Sequence, residues 1–196
     1  MNKPKFIFST AAFLFVCLLS LTNSLAQASN EPQAKTSYEV VLQVITASNN
    51  PIDKPSVPQS LSGVVKKLKN SYSFSNFRLD STYLQRTSGS IEFKSVSNTM
   101  NQNQENFTPI FSDWSLVGIK SFPGGQGKNS IQFQSFRFGQ RVPVKTSNGV
   151  VNYEQIGIVL QSFGVSENVP TVVGSLSTAK PDELMFLVLT VKPVEE

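Results

Sequence analysis

Apolar and polar side chains alternate with a period of two residues through most of this 196-residue chain. Such a period places successive side chains on opposite faces of a strand, so it predicts β-structure over most of the sequence. Turn-forming pairs, such as Asp80-Ser81 and Ser88-Gly89, separate the apolar runs. The predicted strands are Tyr38–Ile45, Tyr72–Leu79, Ser81–Arg86, Ser90–Val96, Asp113–Phe122, Ser130–Phe138, Val150–Gln161, Thr171–Ser177 and Leu184–Val191.

The last of these strands departs from simple alternation, because Leu184–Val191 is apolar at both parities. A strand with one face in water has no need for apolar residues on both sides, so we predict a central strand that is covered on both faces. A second irregularity is a phase slip in Ser130–Phe138, where the apolar parity changes near Ser135 and predicts a β-bulge.

One segment has a helical period instead. Leu61, Val64, Val65 and Leu68 recur at the spacing of a single helix face, and this face is a candidate cover for the closing strand. The fold class predicted from these patterns is α+β, mainly antiparallel β with a βαβ start and one amphipathic helix.

The amino terminus has the pattern of a secretory signal peptide. Lys3 and Lys5 precede the uncharged apolar run 6–21, and Ala26-Gln27-Ala28 supplies small residues for a cleavage site. The run is shorter than the roughly 20 residues that span a bilayer, so we expect cleavage after Ala28, export to the periplasm or beyond, and no membrane span afterwards. The predicted organisation is a signal peptide (1–28), a flexible lead (29–36), a βαβ-type subdomain (37–97), an Asn/Gln-rich linker or loop (98–108) and an antiparallel β subdomain (109–194).

Residue types absent from the predicted mature chain restrict its chemistry. The sequence has no histidine, and its single cysteine, Cys17, lies in the signal peptide. Ser-His and Cys-His nucleophiles and the usual zinc ligands are thereby excluded, so we predict no catalytic residue, no cofactor and no metal. Loss of Lys3 and Lys5 also lowers the net charge below the +4 of the whole chain, which disfavours nucleic acid as a partner.

Aromatic and cationic side chains in the second half form a candidate interaction surface. Arginines alternate with Phe136 and Phe138, and Phe111 lies close in sequence to the single tryptophan, Trp114. Such interleaved residues can stack on bases, and Trp114 near Phe111 can line a sugar-binding face; the alternatives are a half-buried strand and a core aromatic. The predicted surface consists of Phe111, Trp114, Phe136, Phe138 and Arg141.

Several short motifs resemble the carboxy-terminal β-domain of bacterial secretins. They are the glycine and Val-Pro segment 137–144, the segment 151–160 with Tyr153 and Gly157, the Val-Val-Gly segment 172–176, and the closing strand 184–190 that ends in threonine. The βαβ start resembles the small ring-building modules that precede this domain. Secretins are several hundred residues long, and the segments for a gate and long pore strands are missing here. The resemblance therefore implies a reduced relative or an accessory protein.

Three functional hypotheses follow. The first is a non-catalytic exported protein of the envelope or a secreted one, a binding or assembly module with a protein partner or a second copy; this hypothesis predicts an exposed strand edge. The second is a small-ligand or glycan-binding β-domain with a concave aromatic cluster at Trp114 and Phe111. The third is a carboxylate-dependent hydrolase, which requires two buried acids about 5–10 Å apart.

Overall fold

The computed structural model describes residues 36–50, 57–98, 109–124, 129–145, 149, 151–178, 180 and 182–194. The predicted signal peptide, and almost all of the predicted lead and Asn/Gln-rich segment, lie outside these residues.

Residues 36–196 form one compact unit. Its strands are β1 (Ser37–Ser48), β2 (Asn76–Thr87), β3 (Ile91–Asn98), β4 (Pro109–Val117), β5 (Lys120–Phe122), β6 (Ser130–Lys145), β7 (Val151–Ser166), β8 (Thr171–Ser177) and β9 (Glu183–Val194).

A single helix is present in the described part of the chain. It is α1 (Ser62–Ser71), which follows a turn of 3-10 helix at Gln59–Leu61. The strands make two sheets: sheet A in the order β2-β1-β9-β8, and sheet B in the order β3-β4-β6-β5, with β7 also paired to β6. All of these pairings are antiparallel. The predicted α+β class with mainly antiparallel strands is therefore confirmed.

Strand pairing links the two subdomains that the sequence suggested. The strands that flank α1, β1 and β2, pair directly with each other and are antiparallel. On its other edge β1 pairs with β9, the last strand of the chain. Sheet A thus combines strands from the first and last parts of the chain, whereas β3, within the predicted first subdomain, belongs to sheet B. The predicted division at 98–108 does not follow the division into sheets, because pairing of distant strands leaves no local signal in sequence.

Sheet A lies between α1 and sheet B, and each of its faces covers a core. We call the first the helix-side core: Leu61, Val64 and Leu68 of α1 pack there with Ile45, Ala47, Phe77, Phe186 and Val188. The second is the inter-sheet core, in which β1 and β9 meet β4 and β6, with members such as Val40, Leu187, Trp114 and Phe136. The layers are therefore helix, sheet A and sheet B.

The closing strand has the position that its sequence predicted. In β9, Met185, Leu187 and Leu189 belong to the inter-sheet core, while Phe186 and Val188 belong to the helix-side core. Because β9 pairs with β1 on one edge and with β8 on the other, its backbone is enclosed as well as its side chains. The predicted cover by the apolar face of α1 is confirmed.

The predicted turn at Asp80-Ser81 is wrong, because β2 runs straight through it. Val44 faces Ser81 and Ile45 faces Leu79, so Asp80 is the extra residue of a β-bulge. Its carboxylate accepts hydrogen bonds from the Thr46 hydroxyl and from the Nε of Arg78, the latter at 2.6 Å. Asp favours turns because it can hydrogen-bond locally, and here the same capacity stabilises a bulge.

The phase slip near Ser135 is present in the packing of β6. Ile131 and Phe133 are buried on one parity, and Phe136 and Phe138 on the other. The pairing of β6 with β7 nevertheless keeps one register on both sides of this point, with Phe133 facing Phe163 and Ser135 facing Gln161. The predicted bulge in β6 is therefore wrong. The ladder omits only the pair of Gln134 and Ser162, and Ser162 of β7 has a positive φ of 49°.

Candidate functional site

The two faces of sheet B have different surroundings, and strand parity assigns each residue to one of them. On β4, Ser112, Trp114 and Leu116 are buried, whereas the residues between them alternate to the opposite face. The inner face packs against sheet A. We call the opposite side the outer face; it carries the exposed residues of β3, β4, β6 and β7.

Three of the five residues predicted as an interaction surface lie on the inner face. Trp114, Phe136 and Phe138 are each at most 1% exposed and belong to the inter-sheet core. Trp114 also contacts Phe93, with ring centroids 6.1 Å apart. In this position they stabilise the sandwich, and the concave cluster expected at Trp114 for a glycan-binding domain is not formed around that residue.

The other two predicted residues, Phe111 and Arg141, lie together on the outer face. They face each other across β4 and β6, and the Arg141 guanidinium lies over the Phe111 ring, 4.8 Å from its centroid. Tyr153 of β7 approaches the same ring edge-on, with centroids 5.7 Å apart. We call Phe111, Arg141 and Tyr153 the Phe111 patch.

Tyr153 is the member of this patch that sequence reasoning missed. A signal for its orientation is present, because Ile156, Ile158 and Leu160 share the other parity of the same strand. If those three residues point inward, Tyr153 points outward. The sequence does not show the registers of β4 with β6 and of β6 with β7. These two registers bring Tyr153 next to Phe111 of β4, two strands away.

A shallow groove of about 480 Å³ runs beside the Phe111 patch. Its lining includes Phe111, Arg141, Gln155, Asp113, Lys94 and Val96. Gly139 lies next to two of these lining side chains, because a Cβ atom there would be 3.0 Å from Oδ1 of Asp113 and 3.2 Å from Nε2 of Gln155. The absence of a side chain at this position allows Asp113 and Gln155 to come together above the sheet.

The charges along this groove are only partly paired. Arg137 lies 3.4 Å from the Asp113 carboxylate, and Lys94 lies 3.3 Å from Glu92. Arg141, by contrast, has no carboxylate within 4.0 Å among the described residues, and its described contact is the Phe111 ring. A planar guanidinium that stacks on a ring keeps its N–H groups at the edge, where they can donate to a further acceptor. The outer face therefore presents one cation that is held in place and lacks an ionic partner in the described chain.

Several acidic side chains of the described residues are paired with cations. Five of them form ion pairs with nearby cations, namely Glu39, Asp80, Glu92, Asp113 and Glu183. In the part of the chain that the structure describes, no three acidic, histidine or cysteine side chains come together as a metal site would require. Within the same residues, no helix combines the length and the apolar character needed to cross a membrane.

No family model matches the chain, and none of the curated proteins matches it. Among solved structures, the chain is similar to residues 176 to the end of InvG, the secretin of the Salmonella SPI-1 type III secretion injectisome in its open-gate state. The TM-score is 0.38 with 12% identity, and the match covers 91% of this chain and 66% of the secretin chain.

Proposed function

We propose that this protein is a non-catalytic binding module that docks a protein partner on the outer face of sheet B. The observation that supports the proposal best is Arg141, which lies over the Phe111 ring, has no carboxylate partner among the described residues and lines an exposed groove. Arginine and tyrosine are enriched in the residues that carry binding energy at interfaces. A partner carboxylate that pairs with Arg141 would gain a charge-assisted, bidentate hydrogen bond.

The neighbours of Arg141 favour a protein partner over a small ion. Tyr153, which contacts Phe111, and Val96, which lines the groove, are 42% and 58% exposed, so apolar and aromatic area is available near the charge. Interfaces between proteins combine such apolar contacts with a few oriented polar groups. The partner chemistry that fits is an acidic side chain flanked by apolar ones.

The amino-terminal pattern supports export, which would put this binding in the periplasm or outside the cell. The positive residues Lys3 and Lys5, the apolar run and Ala28 are the features on which this part of the proposal rests. An envelope protein is accordingly the partner that we propose. Assembly into a secretin-like complex is the form of this function that the sequence motifs favour.

The proposal is tested by reversing the charge at Arg141. Purified protein, immobilised and exposed to a solubilised envelope fraction, should capture a partner that the Arg141→Glu variant captures at least tenfold less well, because the variant repels a carboxylate. Lys67→Glu is the matched control: it makes the same change of charge on an exposed residue of α1, on the other side of sheet A. Mass spectrometry of the captured proteins quantifies the difference.

Two further results decide the outcome. Phe111→Ala should weaken capture in the same direction, because the ring holds the guanidinium in position. Melting temperatures of all variants should stay close to that of the parent, which separates loss of binding from loss of fold. Equal capture by the parent and Arg141→Glu, with both folded, would refute the outer face as the docking surface.

A further inference from the structure

Each sheet of this protein has two longer edge strands, β2 and β8 in sheet A and β3 and β7 in sheet B. In sheet B the strand β5, which has only 3 residues and pairs with β6 alone among the described strands, leaves a further short edge. An edge strand presents unpaired backbone N–H and C=O groups, which are a template for pairing with another chain. Proteins usually protect such edges with bulges, short length or charged side chains. The four longer edges of the described sheets differ in how far they are protected.

Three of the edges carry such protection. β2 is interrupted by the bulge at Asp80 and bears Arg78 and Arg86. β8 has only 7 residues and a register shift between Val172 and Gly174. β3 has 8 residues and carries a charged pair, Glu92 and Lys94, on its exposed face.

The fourth edge, β7, lacks these features. It is 16 residues long, holds no proline, and keeps one register with β6 from Val151 to Ser166. Among the described residues its ladder partner is β6 alone, and its only charged residue is Glu154. Val159, at its middle, is 59% exposed. A long and nearly uncharged edge of this kind favours association with another strand.

We propose that β7 pairs with β7 of a second copy of this chain to form a two-fold dimer. A head-to-tail assembly would need two different open edges, and β7 is the one edge of the described sheets without protection. Self-pairing satisfies both copies with the same surface, as a two-fold interface does. This inference is independent of the docking role of Arg141.

The charge on β7 restricts the register of the antiparallel pair. A two-fold axis at Glu154 would place the two Glu154 carboxylates opposite each other, which is destabilising. An axis at Gly157 instead places Glu154 opposite Leu160, Gln155 opposite Val159 and Tyr153 opposite Gln161. We assign the axis to Gly157, because pairing over 153–161 then also stops before Ser162, where φ is positive. Because the axis is perpendicular to the joined sheet, both outer faces then lie on the same side.

The first measurement is the mass of the exported protein by sedimentation at about 1 to 100 µM. A dimer that forms within this range is expected, and a monomer at every concentration would overturn the proposal. The dimer should also persist in Arg141→Glu. Failure of the docking role and failure of the dimer are therefore distinguishable.

The second measurement locates the edge and its register by disulfide trapping. In a Cys17→Ser background, the double variant Gln155→Cys/Val159→Cys should form a covalent dimer on mild oxidation, because opposed residues of antiparallel strands have a Cα separation of about 4.5–5.5 Å, within the range for disulfides. Within one copy the two cysteines are four residues apart along a strand, roughly 13 Å, and cannot be bridged.

Glu92→Cys/Val96→Cys on β3 is the matched control, with the same spacing on an exposed edge of the same sheet. Covalent dimer from the β7 variant and monomer from the β3 variant would support the proposal. Efficient trapping through β3, or none through β7 in a protein that sediments as a dimer, would overturn the assignment of edge and register.

Discussion

The strands β9 and β7 are both long and rich in apolar residues, yet they have opposite roles. β9 is paired on both edges and buried on both faces, with Phe186 and Leu187 fully enclosed on opposite sides. β7 is paired with β6 alone in the described chain, and much of its surface is exposed. The difference follows from sequence, because β9 is apolar at both parities whereas β7 alternates with Gln155, Gly157 and Gln161. Thermodynamic stability should therefore depend on β9, and association on β7.

Truncation in β9 should have the largest effect. Phe186→Ala removes a ring that packs beneath α1 and edge-on to Tyr72, at 5.0 Å between centroids. We expect the free energy of unfolding to fall by about 3–5 kcal/mol. Leu187→Ala, on the opposite face in the inter-sheet core, should cost about 2–5 kcal/mol. Denaturant melts of the two variants give both values.

This pair of variants tests whether both faces of β9 are structural core. Loss of stability in both supports the assignment. If one variant is as stable as the parent, the truncated side chain does not belong to the structural core. The contrast between a buried β9 and an exposed β7 would then not hold for that face of β9.

An intermediate effect is expected at the centre of β7. A Cβ atom at Gly157 would lie 2.5 Å from the Phe138 carbonyl oxygen and 3.2 Å from the Cα of Gly139. Gly157→Ala therefore forces β6 and β7 apart, and we expect a loss of about 1–3 kcal/mol in urea melts.

Gly63→Ala in α1 is the control for this substitution, because nothing lies within 4 Å of the added Cβ atom. A helical alanine is favoured over glycine by up to about 1 kcal/mol, so this variant should be neutral or slightly stabilised. Equal changes in the free energy of unfolding for Gly157→Ala and Gly63→Ala would show that the close approach of β6 and β7 does not require glycine at position 157.

The smallest effect on stability is expected at Val159. The exposed side chain should contribute little to the folded monomer, so Val159→Ala should change the free energy of unfolding by no more than about 0.5 kcal/mol, measured by denaturant melts below the concentration at which copies associate. A loss of more than about 1.5 kcal/mol would show that β7 is buried in the monomer.

Sequence periodicity predicted local structure well where neighbouring elements bury one or both faces of a helix or strand. The helix face at Leu61, Val64 and Leu68 and the two-sided strand β9 were both found in this way, because burial on a known set of faces leaves a regular pattern. The prediction at Asp80 failed for a local reason: turns and bulges favour the same residue type. Which of the two forms here depends on the pairing of β2 with β1.

The candidate site was predicted only in part for a different reason. Phe111 and Trp114 lie three residues apart on β4, and the parity of the strand sends them to opposite faces of sheet B. The alternation of residues along β4 shows that this strand has two faces. Which of them is buried depends on its packing against sheet A, whose strands come from distant parts of the chain. The contact between Tyr153 and Phe111 likewise depends on two successive registers.

The pairing of Ser37 with Val194 brings the two ends of the described unit together at one end of a strand pair. A pulling force applied at these residues acts first on that single pair, because β1 and β9 are antiparallel. The hydrogen bonds then break one after another from this end, as in unzipping, and do not share the load in shear. Since β1 and β9 supply both cores, such peeling would open sheet A from its centre. The unit should therefore yield to a small force along this direction, however stable it is to denaturant.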